Sequence, residues 1–168
     1  MKTDLSKIKM LAMDVDGTLT DGKIYISNQG EAMKAFSSKD GLGIKLLLKH
    51  DITPVIITGR TSDIVRHRCQ ELGIHILFQG INNKSQKLKE LMKVYHLQPD
   101  EVAYIGDDMN DLGAMEIAGA TFAPADCAKQ LLPYVDILLT KKAGDSPVRE
   151  AIDMILEGQL THDDYMDL

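Results

Sequence analysis

The sequence predicts one α/β domain built on a mostly parallel, doubly wound sheet with helices on both faces. Short apolar runs alternate with helical periodicity along the 168 residues. Several of these runs are apolar throughout, as is typical of parallel strands that helices cover on both faces. No repeat, low-complexity segment or Pro/Gly/Ser linker divides the chain, so residues 1–168 are expected to form a single domain.

The first third of the chain predicts a buried strand, a hairpin and a helix. Residues 8–15 form an apolar run that ends in an acidic turn. Residues 23–27 alternate, residues 28–30 turn and residues 32–36 return, which predicts a β-hairpin over about residues 22–36. Residues 40–50 place three leucines on one helical face.

The remaining elements continue the alternation of strands and helices. A strand at Pro54–Ile57 precedes a helix that Ser62 caps and Gly73 ends. A strand over residues 74–78 precedes a helix capped by Asn82. Three further strands and two helices follow, in chain order 102–105, 111–118 (helix), 120–123, 135–139 and a helix that Pro147 opens within the C-terminal segment 146–168.

Composition excludes several classes of partner. The formal net charge is −6, which argues against nucleic acid or an anionic membrane surface as a partner. Aromatic residues are 5% of the chain and Trp is absent, so no platform for stacking bases is evident. No apolar run approaches ~18 residues, so neither an export signal nor a membrane span is expected.

The two cysteines, Cys69 and Cys127, form no C-x-x-C pattern. A zinc site or a redox motif is therefore not expected. A reduced, cytoplasmic setting is the expectation that fits this cysteine usage.

Chemistry-bearing residues follow the apolar runs, at the edge where parallel sheets bind ligands. They are Asp14 and Asp16 after the first strand, Thr58, Gly59 and Arg60 after the second, Asp107, Asp108 and Asp111 after a later one, and Lys84 at a helix start. The sheet is expected to bring these residues together.

Asp14 and Asp16 repel each other unless a cation shares their space. Residues i and i+2 of extended backbone point the same way, so both carboxylates can face one small volume. Adding Asp107 makes an oxygen-rich site that suits Mg²⁺. The cation would also attract a phosphate group.

Four of these side chains could then transfer a phosphoryl group. One carboxylate could attack phosphorus, and the second could protonate the leaving oxygen and activate water. Thr58 could donate to a phosphoryl oxygen, and Lys84 could neutralise its charge. The structural alternative is that the Asp-Gly pairs only form turns, the later aspartates only cap a helix, and Lys84 lies on a solvated face.

The stretch Asp14-Val15-Asp16-Gly17-Thr18 resembles the D-x-D-G-T signature of haloacid-dehalogenase-type phosphatases. Thr58, Lys84 and the acidic segment 106–111 follow in the order that this superfamily shows, and the resemblance spans about residues 8–123. It implies a Rossmann-like fold and catalysis through an aspartyl-phosphate.

The resemblance also implies a role for each acidic residue. Asp14 would be the nucleophile and Asp16 the general acid and base. Mg²⁺ would be held by the Asp14 side chain, the Asp16 backbone carbonyl and Asp107. Asp108 and Asp111 would support these ligands or bind the ion more weakly.

Within the superfamily the chain is most similar to the 3-deoxy-D-manno-octulosonate 8-phosphate (KDO 8-phosphate) phosphatases, through the stretches 20–25, 57–60, 78–80 and 143–150. In the last stretch Ala143, Ser146 and Pro147 replace two glycines and an alanine of the family pattern. The likeness implies hydrolysis of a phosphorylated sugar acid in lipopolysaccharide precursor synthesis, by a homotetramer. The expected substrate-binding residues are Thr18, Gly59, Arg60, Arg68, Lys84 and Arg149.

The chain leaves no room for a cap domain over the site. The intervals between Asp14 and Thr58 and between Thr58 and Lys84 are filled by the predicted elements. An isolated hairpin is only marginally stable and exposes its edges. We therefore expect the hairpin to pack against other subunits and a neighbour to roof the active site at the subunit interface.

Three alternatives remain at this stage, one of which is a non-catalytic scaffold subunit with a relic site. The substrate could be a nine-carbon, sialic-type sugar acid 9-phosphate. A different class, the phospho-receiver signalling domain, also uses an acidic Mg²⁺ site, a phosphorylated Asp, a Thr and a Lys, but in another order along the chain.

Overall fold

Strands and helices alternate in the computed structural model, which describes residues 4–166. The strands are β1 (Met10–Met13), β2 (Tyr25–Ser27), β3 (Gly30–Met33), β4 (Thr53–Ile57), β5 (Ile76–Phe78), β6 (Val102–Ile105), β7 (Ala120–Ala123) and β8 (Ile137–Leu138). The α-helices are α1 (Ser38–Lys49), α2 (Asp63–Leu72), α3 (Lys84–Val94), α4 (Leu112–Met115) and α5 (Pro147–Ile155). Short 3₁₀ turns cover Leu5–Lys7, Pro99–Glu101, Lys129–Tyr134 and His162–Tyr165.

Six of the strands form one parallel sheet in the order β5-β4-β1-β6-β7-β8. Strand β1 lies in the middle, with Met10 opposite Thr53 of β4 on one side and Val102 of β6 on the other. The carboxyl ends of these three strands therefore meet at one edge, directly before the residues that the sequence singles out.

Helices cover both faces of the sheet, which confirms the predicted doubly wound fold. Leu11 and Met13 of β1 pack on one face with apolar residues of α1, α2 and α5. Met10 and Ala12 pack on the other face with apolar residues of α3 and α4. The alternation of β1 side chains between two buried layers explains why its sequence is apolar without a break.

Most predicted elements are present, but several of their ends differ. The Ser62 cap and the Gly73 end of α2 are confirmed: the Ser62 side chain accepts from the Val65 N–H, and Gly73 has φ +75°. The predicted Asn82 cap is wrong, because the neighbouring Asn83 accepts from the N–H of Gln86 at 3.0 Å.

Four further elements have ends that differ from the prediction. Strand β5 begins at Ile76, because the N–H of Ile74 closes the preceding helix on Cys69. Helix α1 begins at Ser38, capped by Ser37. Strand β8 is shorter than the predicted 135–139 run, because the Asp136 side chain binds Thr121 instead of facing a second apolar layer. Helix α4 ends at Met115, three residues before the predicted end.

The predicted hairpin is present as the two-stranded sheet β2–β3, with a register irregularity at Tyr25/Ile26. It lies outside the main sheet and exposes apolar side chains, most of all Ile26 and Met33. Such a surface is typical of a contact with another chain.

The last described residues pack on α1. The Lys49 ammonium donates to the carbonyl oxygens of Asp163, Asp164 and Met166 at 3.0–3.1 Å. Within residues 4–166, none of the helices combines the length and apolarity that a membrane crossing requires.

Ser146 provides a test of backbone strain at the start of α5. It has φ +70°, and its Oγ lies 2.7 Å from Ser37 Oγ. Ser146→Ala loses this hydrogen bond and keeps the left-handed backbone, so we expect it to be less stable by about 1 kcal/mol. Ser146→Gly loses the same bond but relieves about 1 kcal/mol of strain, so its stability should stay close to that of the parent.

Urea unfolding of the parent and both variants measures these differences through their midpoints at a common slope. Equal midpoints for the Ala and Gly variants would show that the left-handed conformation carries no cost here.

Candidate active site

The loop after β1 places two carboxylates at the centre of the sheet edge. The N–H of Asp14 donates to the Ile105 carbonyl at 3.0 Å, so Asp14 continues the β1–β6 pairing and is buried. The chain then turns at Gly17, which has φ +89°. A Cβ at Gly17 would lie 2.1 Å from Asp107 Oδ2, so glycine is what lets Asp107 approach.

Thr20 holds this loop closed. Its hydroxyl donates to the Val15 carbonyl at 3.3 Å and accepts from the N–H groups of Gly17 and Gly22 at 3.4 and 3.2 Å. Thr18 is also buried, with its hydroxyl 3.5 Å from Asp107 Oδ1. The predicted site residue Thr18 therefore contacts the acidic cluster through Asp107.

Asp111 organises the other side of the site. Its Oδ1 accepts from the Lys84 ammonium at 2.6 Å and from the Tyr104 hydroxyl at 2.7 Å. Its Oδ2 accepts from the N–H groups of Asp107 and Asp108 at 3.0 and 3.4 Å. Both oxygens of this fully buried carboxylate are occupied, so it orients its neighbours.

Lys84 joins the two halves of the site. It is buried at the start of α3, with its ammonium 3.0 Å from Asp14 Oδ1 as well as 2.6 Å from Asp111 Oδ1. Burial opposes the charge, but the two carboxylates outweigh burial and raise the pKa of Lys84. A permanent cation therefore lies against Asp14, which excludes the solvated-face alternative for Lys84.

The acidic cluster retains more negative charge than Lys84 can balance. Asp14, Asp107 and Asp111 each offer a carboxylate oxygen, and these atoms lie within 4.8 Å of one another. Burial, and then the charge of Asp111, raises the pKa of Asp14 to about 6. Burial, and then the charge of Asp14, raises the pKa of Asp107 to about 7. Oxygen ligands packed with uncompensated charge suit a hard divalent cation such as Mg²⁺.

A cavity of about 460 Å³ opens over the cluster, a volume typical of small-molecule sites. The residues that line it are Asp14, Asp16, Gly22, Thr58, Gly59, Arg60, Asp107, Asp108 and Asn110. The strand-end residues that the sequence singles out thus converge, with Thr58 buried and Arg60 half-exposed at the rim.

Two predicted substrate-binding residues lie outside this cavity. Arg68 lies between α1 and α2, where it donates to the Ser37 carbonyl at 3.2 Å and to Glu71 at 2.9 Å. Arg149 pairs with Asp153 on α5 at 2.7 Å. A role for either residue in substrate binding stays a prediction.

Sequence reasoning missed three contributors to the site besides Thr20. Tyr104 looks like one more apolar residue of β6, but its hydroxyl binds Asp111. Lys34, at the end of the hairpin, pairs with Asp16, and Glu31 pairs with Lys34 at 3.0 Å. A lysine and a glutamate in a hairpin are ordinary in sequence, so only the docking of the hairpin reveals these contacts.

Known proteins resemble this chain in both sequence and fold. Residues 73–152 match the family described as haloacid dehalogenase-like hydrolase. The 3-deoxy-D-manno-octulosonate 8-phosphate phosphatase of Escherichia coli K12 is 43% identical over 152 residues, which are 90% of this chain and 81% of that protein.

Two solved structures have the same fold. The cobalt-bound deoxy-D-mannose-octulosonate 8-phosphate phosphatase of Haemophilus influenzae superposes with a TM-score of 0.88 at 42% identity, covering 90% of this chain and 89% of that chain. The Moraxella catarrhalis 3-deoxy-D-manno-octulosonate 8-phosphate phosphatase, in complex with magnesium, phosphate and KDO, has a TM-score of 0.88 at 40% identity, covering 90% and 87%.

The doubly wound sheet and the acidic site at its edge define the class of haloacid dehalogenase-like hydrolases. The sequence identity to the phosphatases above, and the share of each chain that it covers, place this chain in one family of that class. The chain belongs to the 3-deoxy-D-manno-octulosonate 8-phosphate phosphatase family. The resemblance seen in the sequence motifs is thereby confirmed.

Metal binding should depend on pH, because cation and protons compete for Asp14 and Asp107. Their pKa values of about 6 and 7 mean that both carboxyls are largely, though not fully, protonated at pH 5.5. We expect Mg²⁺ affinity at pH 5.5 to be on the order of ten- to a hundred-fold weaker than at pH 7.5. Calorimetric titration in buffers of different ionisation enthalpy measures the affinity and the protons released.

The stability of the metal-free protein should change in the opposite direction. Folded Asp14 and Asp107 keep protons that the unfolded chain loses above about pH 4, so stability in EDTA should fall as pH rises toward 7. Mg²⁺ should reverse this trend. Thermal unfolding that is insensitive to both pH and Mg²⁺ across this window would contradict the proposed cation site.

Proposed function

We propose that this protein hydrolyses KDO 8-phosphate to KDO and inorganic phosphate in a magnesium-dependent reaction of lipopolysaccharide precursor synthesis. One observation carries the proposal: Asp14 lies against Lys84 and beside Asp107 on the floor of an open cavity. The chain around this site is 43% identical to a phosphatase with that substrate.

Asp14, Asp107 and the backbone carbonyl of Asp16 are the groups that we assign to Mg²⁺. The two carboxylates share the buried cluster, and Asp111 is excluded as a main ligand because four donors already occupy its oxygens. When bound, Mg²⁺ would neutralise these carboxylates and draw charge from a phosphoryl oxygen. Asp108 lines the cavity from an exposed position and is left as a support.

The first chemical step is assigned to Asp14. Its carboxylate oxygen attacks phosphorus, and an aspartyl-phosphate forms as the ester P–O bond breaks. The electron pair of that bond stays on the sugar oxygen, which takes a proton from the Asp16 carboxyl. Lys84 holds Asp14 in place, and the Thr58 hydroxyl at the cavity wall donates to the phosphoryl group.

The second step returns the enzyme to its starting state. Asp16, now a carboxylate, takes a proton from water while the water oxygen attacks phosphorus. The bond between phosphorus and Asp14 breaks, inorganic phosphate leaves, and Asp14 is again a carboxylate. Asp16 is thus the proton carrier in both steps.

Arg60 is the best-placed cation for the substrate carboxylate. Its side chain is half-exposed at the cavity rim, and its planar guanidinium can bind a carboxylate through two hydrogen bonds. Gly59 beside it leaves the rim open for a sugar.

We propose that the working form is a homotetramer with active sites at subunit interfaces. The hairpin presents Ile26 and Met33 to solvent, which is unfavourable for a two-stranded ribbon on its own. The cavity is open above Asp16 and Arg60, so a neighbouring chain could roof it.

We also propose a cytoplasmic location. Cys69 and Cys127 are both free thiols. Free thiols of this kind persist in a reducing compartment.

Phosphate release over a panel of phosphorylated sugars tests the proposed function. The panel should include the eight-carbon and nine-carbon keto-sugar acids, each with Mg²⁺ and with EDTA. We expect turnover of KDO 8-phosphate only with Mg²⁺, and no turnover by Asp14→Asn, because an amide cannot attack phosphorus.

Asp163→Asn is the matched control, since Asp163 is exposed on the last described turn. A preference for the nine-carbon acid would overturn the substrate, and near-normal activity of Asp14→Asn would overturn the nucleophile. A long-lived aspartyl-phosphate would instead indicate a receiver-type switch.

Sedimentation equilibrium tests the assembly. We expect a tetramer, and we expect Ile26→Lys to dissociate it and to lower activity at working concentration, because a buried unpaired charge opposes association. Val94→Lys is the matched control, because Val94 is equally exposed but lies at the end of α3. A fully active monomer would contradict the assembly.

A further inference from the structure

We propose that Lys34, on the hairpin, positions the proton carrier Asp16, so that the hairpin is a working part of the active site. This inference rests on the phosphatase chemistry proposed above and assigns that chemistry a residue from a separate element. Its observation is the ion pair between the Lys34 ammonium and Asp16 Oδ1.

Lys34 is buried for an electrostatic reason. Only 2% of its side chain is exposed, although it ends a hairpin whose apolar side chains face solvent. Lysine is almost never buried unless it is paired, because desolvating the ammonium is costly. Here Asp16 and Glu31 both pair with it, the second at 3.0 Å, so the position of the Lys34 ammonium is set by the two carboxylates.

Glu31 ties the same hairpin to a second loop of the site. Its Oε1 pairs with Lys34, and its Oε2 accepts from the Ser62 hydroxyl. Ser62 is the cap of α2 and closes the loop that carries Thr58 and Arg60. A continuous chain of polar contacts therefore runs from the β1 loop, through the hairpin, to the β4 loop.

The two oxygens of Asp16 have different surroundings as a result. Lys34 holds Oδ1, whereas Oδ2 has the half-exposed Arg60 Nε at 3.7 Å on the cavity side. Fixing Oδ1 limits rotation of the short side chain, so Oδ2, which lies near Arg60 in the cavity lining, is the oxygen left to face the departing sugar oxygen. Oδ2 is then the atom that gives the proton to the sugar oxygen as the P–O bond breaks. The sugar oxygen keeps the electron pair of that bond.

Positioning of a general acid has a specific kinetic signature. A poor leaving group needs the proton in the transition state, whereas a good one departs with little help. Phenyl phosphate and p-nitrophenyl phosphate form such a pair, since they differ by one nitro group and share no sugar contacts. The value of kcat/KM reports the step in which the leaving group departs.

The experiment measures kcat/KM for both esters in Lys34→Met. We expect the phenyl phosphate value to fall by about ten- to a hundred-fold and the p-nitrophenyl phosphate value by less than about threefold. Lys34→Arg should recover most of the loss, because a guanidinium can pair with the same carboxylate. Lys23→Met is the matched control, because it removes an exposed lysine beside the same hairpin.

Two results would overturn the proposal. One is an equal fall for both esters, which would mean that Lys34 only holds the hairpin in place. The other is unchanged kinetics. Circular dichroism and thermal unfolding check the fold of each variant. If Lys34→Met does not fold, the ratio of the two kcat/KM values is measured in Lys34→Gln instead.

The aryl esters separate this inference from the proposed function. If the wild type rejects KDO 8-phosphate, the substrate assignment fails while the aryl ratio still reports on Lys34. If KDO 8-phosphate is hydrolysed and the ratio does not change in Lys34→Met, the role of Lys34 fails alone.

Discussion

The buried ion pairs of Lys84 with Asp14 and Asp111 are the constraint on which the rest of the structure depends. One ammonium lies 3.0 and 2.6 Å from the two carboxylates, and both carboxylates are buried, with a small part of Asp14 exposed to the cavity. Removing one partner of such a network leaves an uncompensated buried charge, which is strongly destabilising. The start of α3, the end of β1 and the loop after β6 are therefore held in one arrangement.

The same network contains more carboxylates than the single ammonium of Lys84 can neutralise. Burial, and then the charge of Asp14, raises the pKa of Asp107, and Lys84 offsets this only in part. This repulsion between carboxylates destabilises the metal-free fold. A bound divalent cation would remove it, and a phosphate group would then bind to the cation. Sites of this kind trade stability for function.

The hairpin connects the chemistry with the proposed assembly. It carries Lys34 and Glu31 inward to Asp16 and Ser62, and it carries Ile26 and Met33 outward to solvent. Contacts made by neighbouring subunits on the outer residues would fix the hairpin, and the hairpin would in turn fix Asp16. Assembly and proton transfer would then both depend on one short element.

The sequence by itself determined the fold class and the sheet edge at which the candidate site residues meet, because these depend on local patterns. Apolar runs define buried strands, and the residues after them must meet at one edge of a parallel sheet. The sequence did not identify Asn83 as the cap of α3, because the neighbouring Asn82 is an equally suitable capping residue. Only the tertiary structure decided that Tyr104, Lys34 and Glu31 belong to the site. The contacts of Lys34 with Asp16 and of Glu31 with Ser62 depend on how the hairpin docks on the β1 and β4 loops, and that of Tyr104 with Asp111 depends on the path of the loop after β6. No local sequence pattern encodes these arrangements.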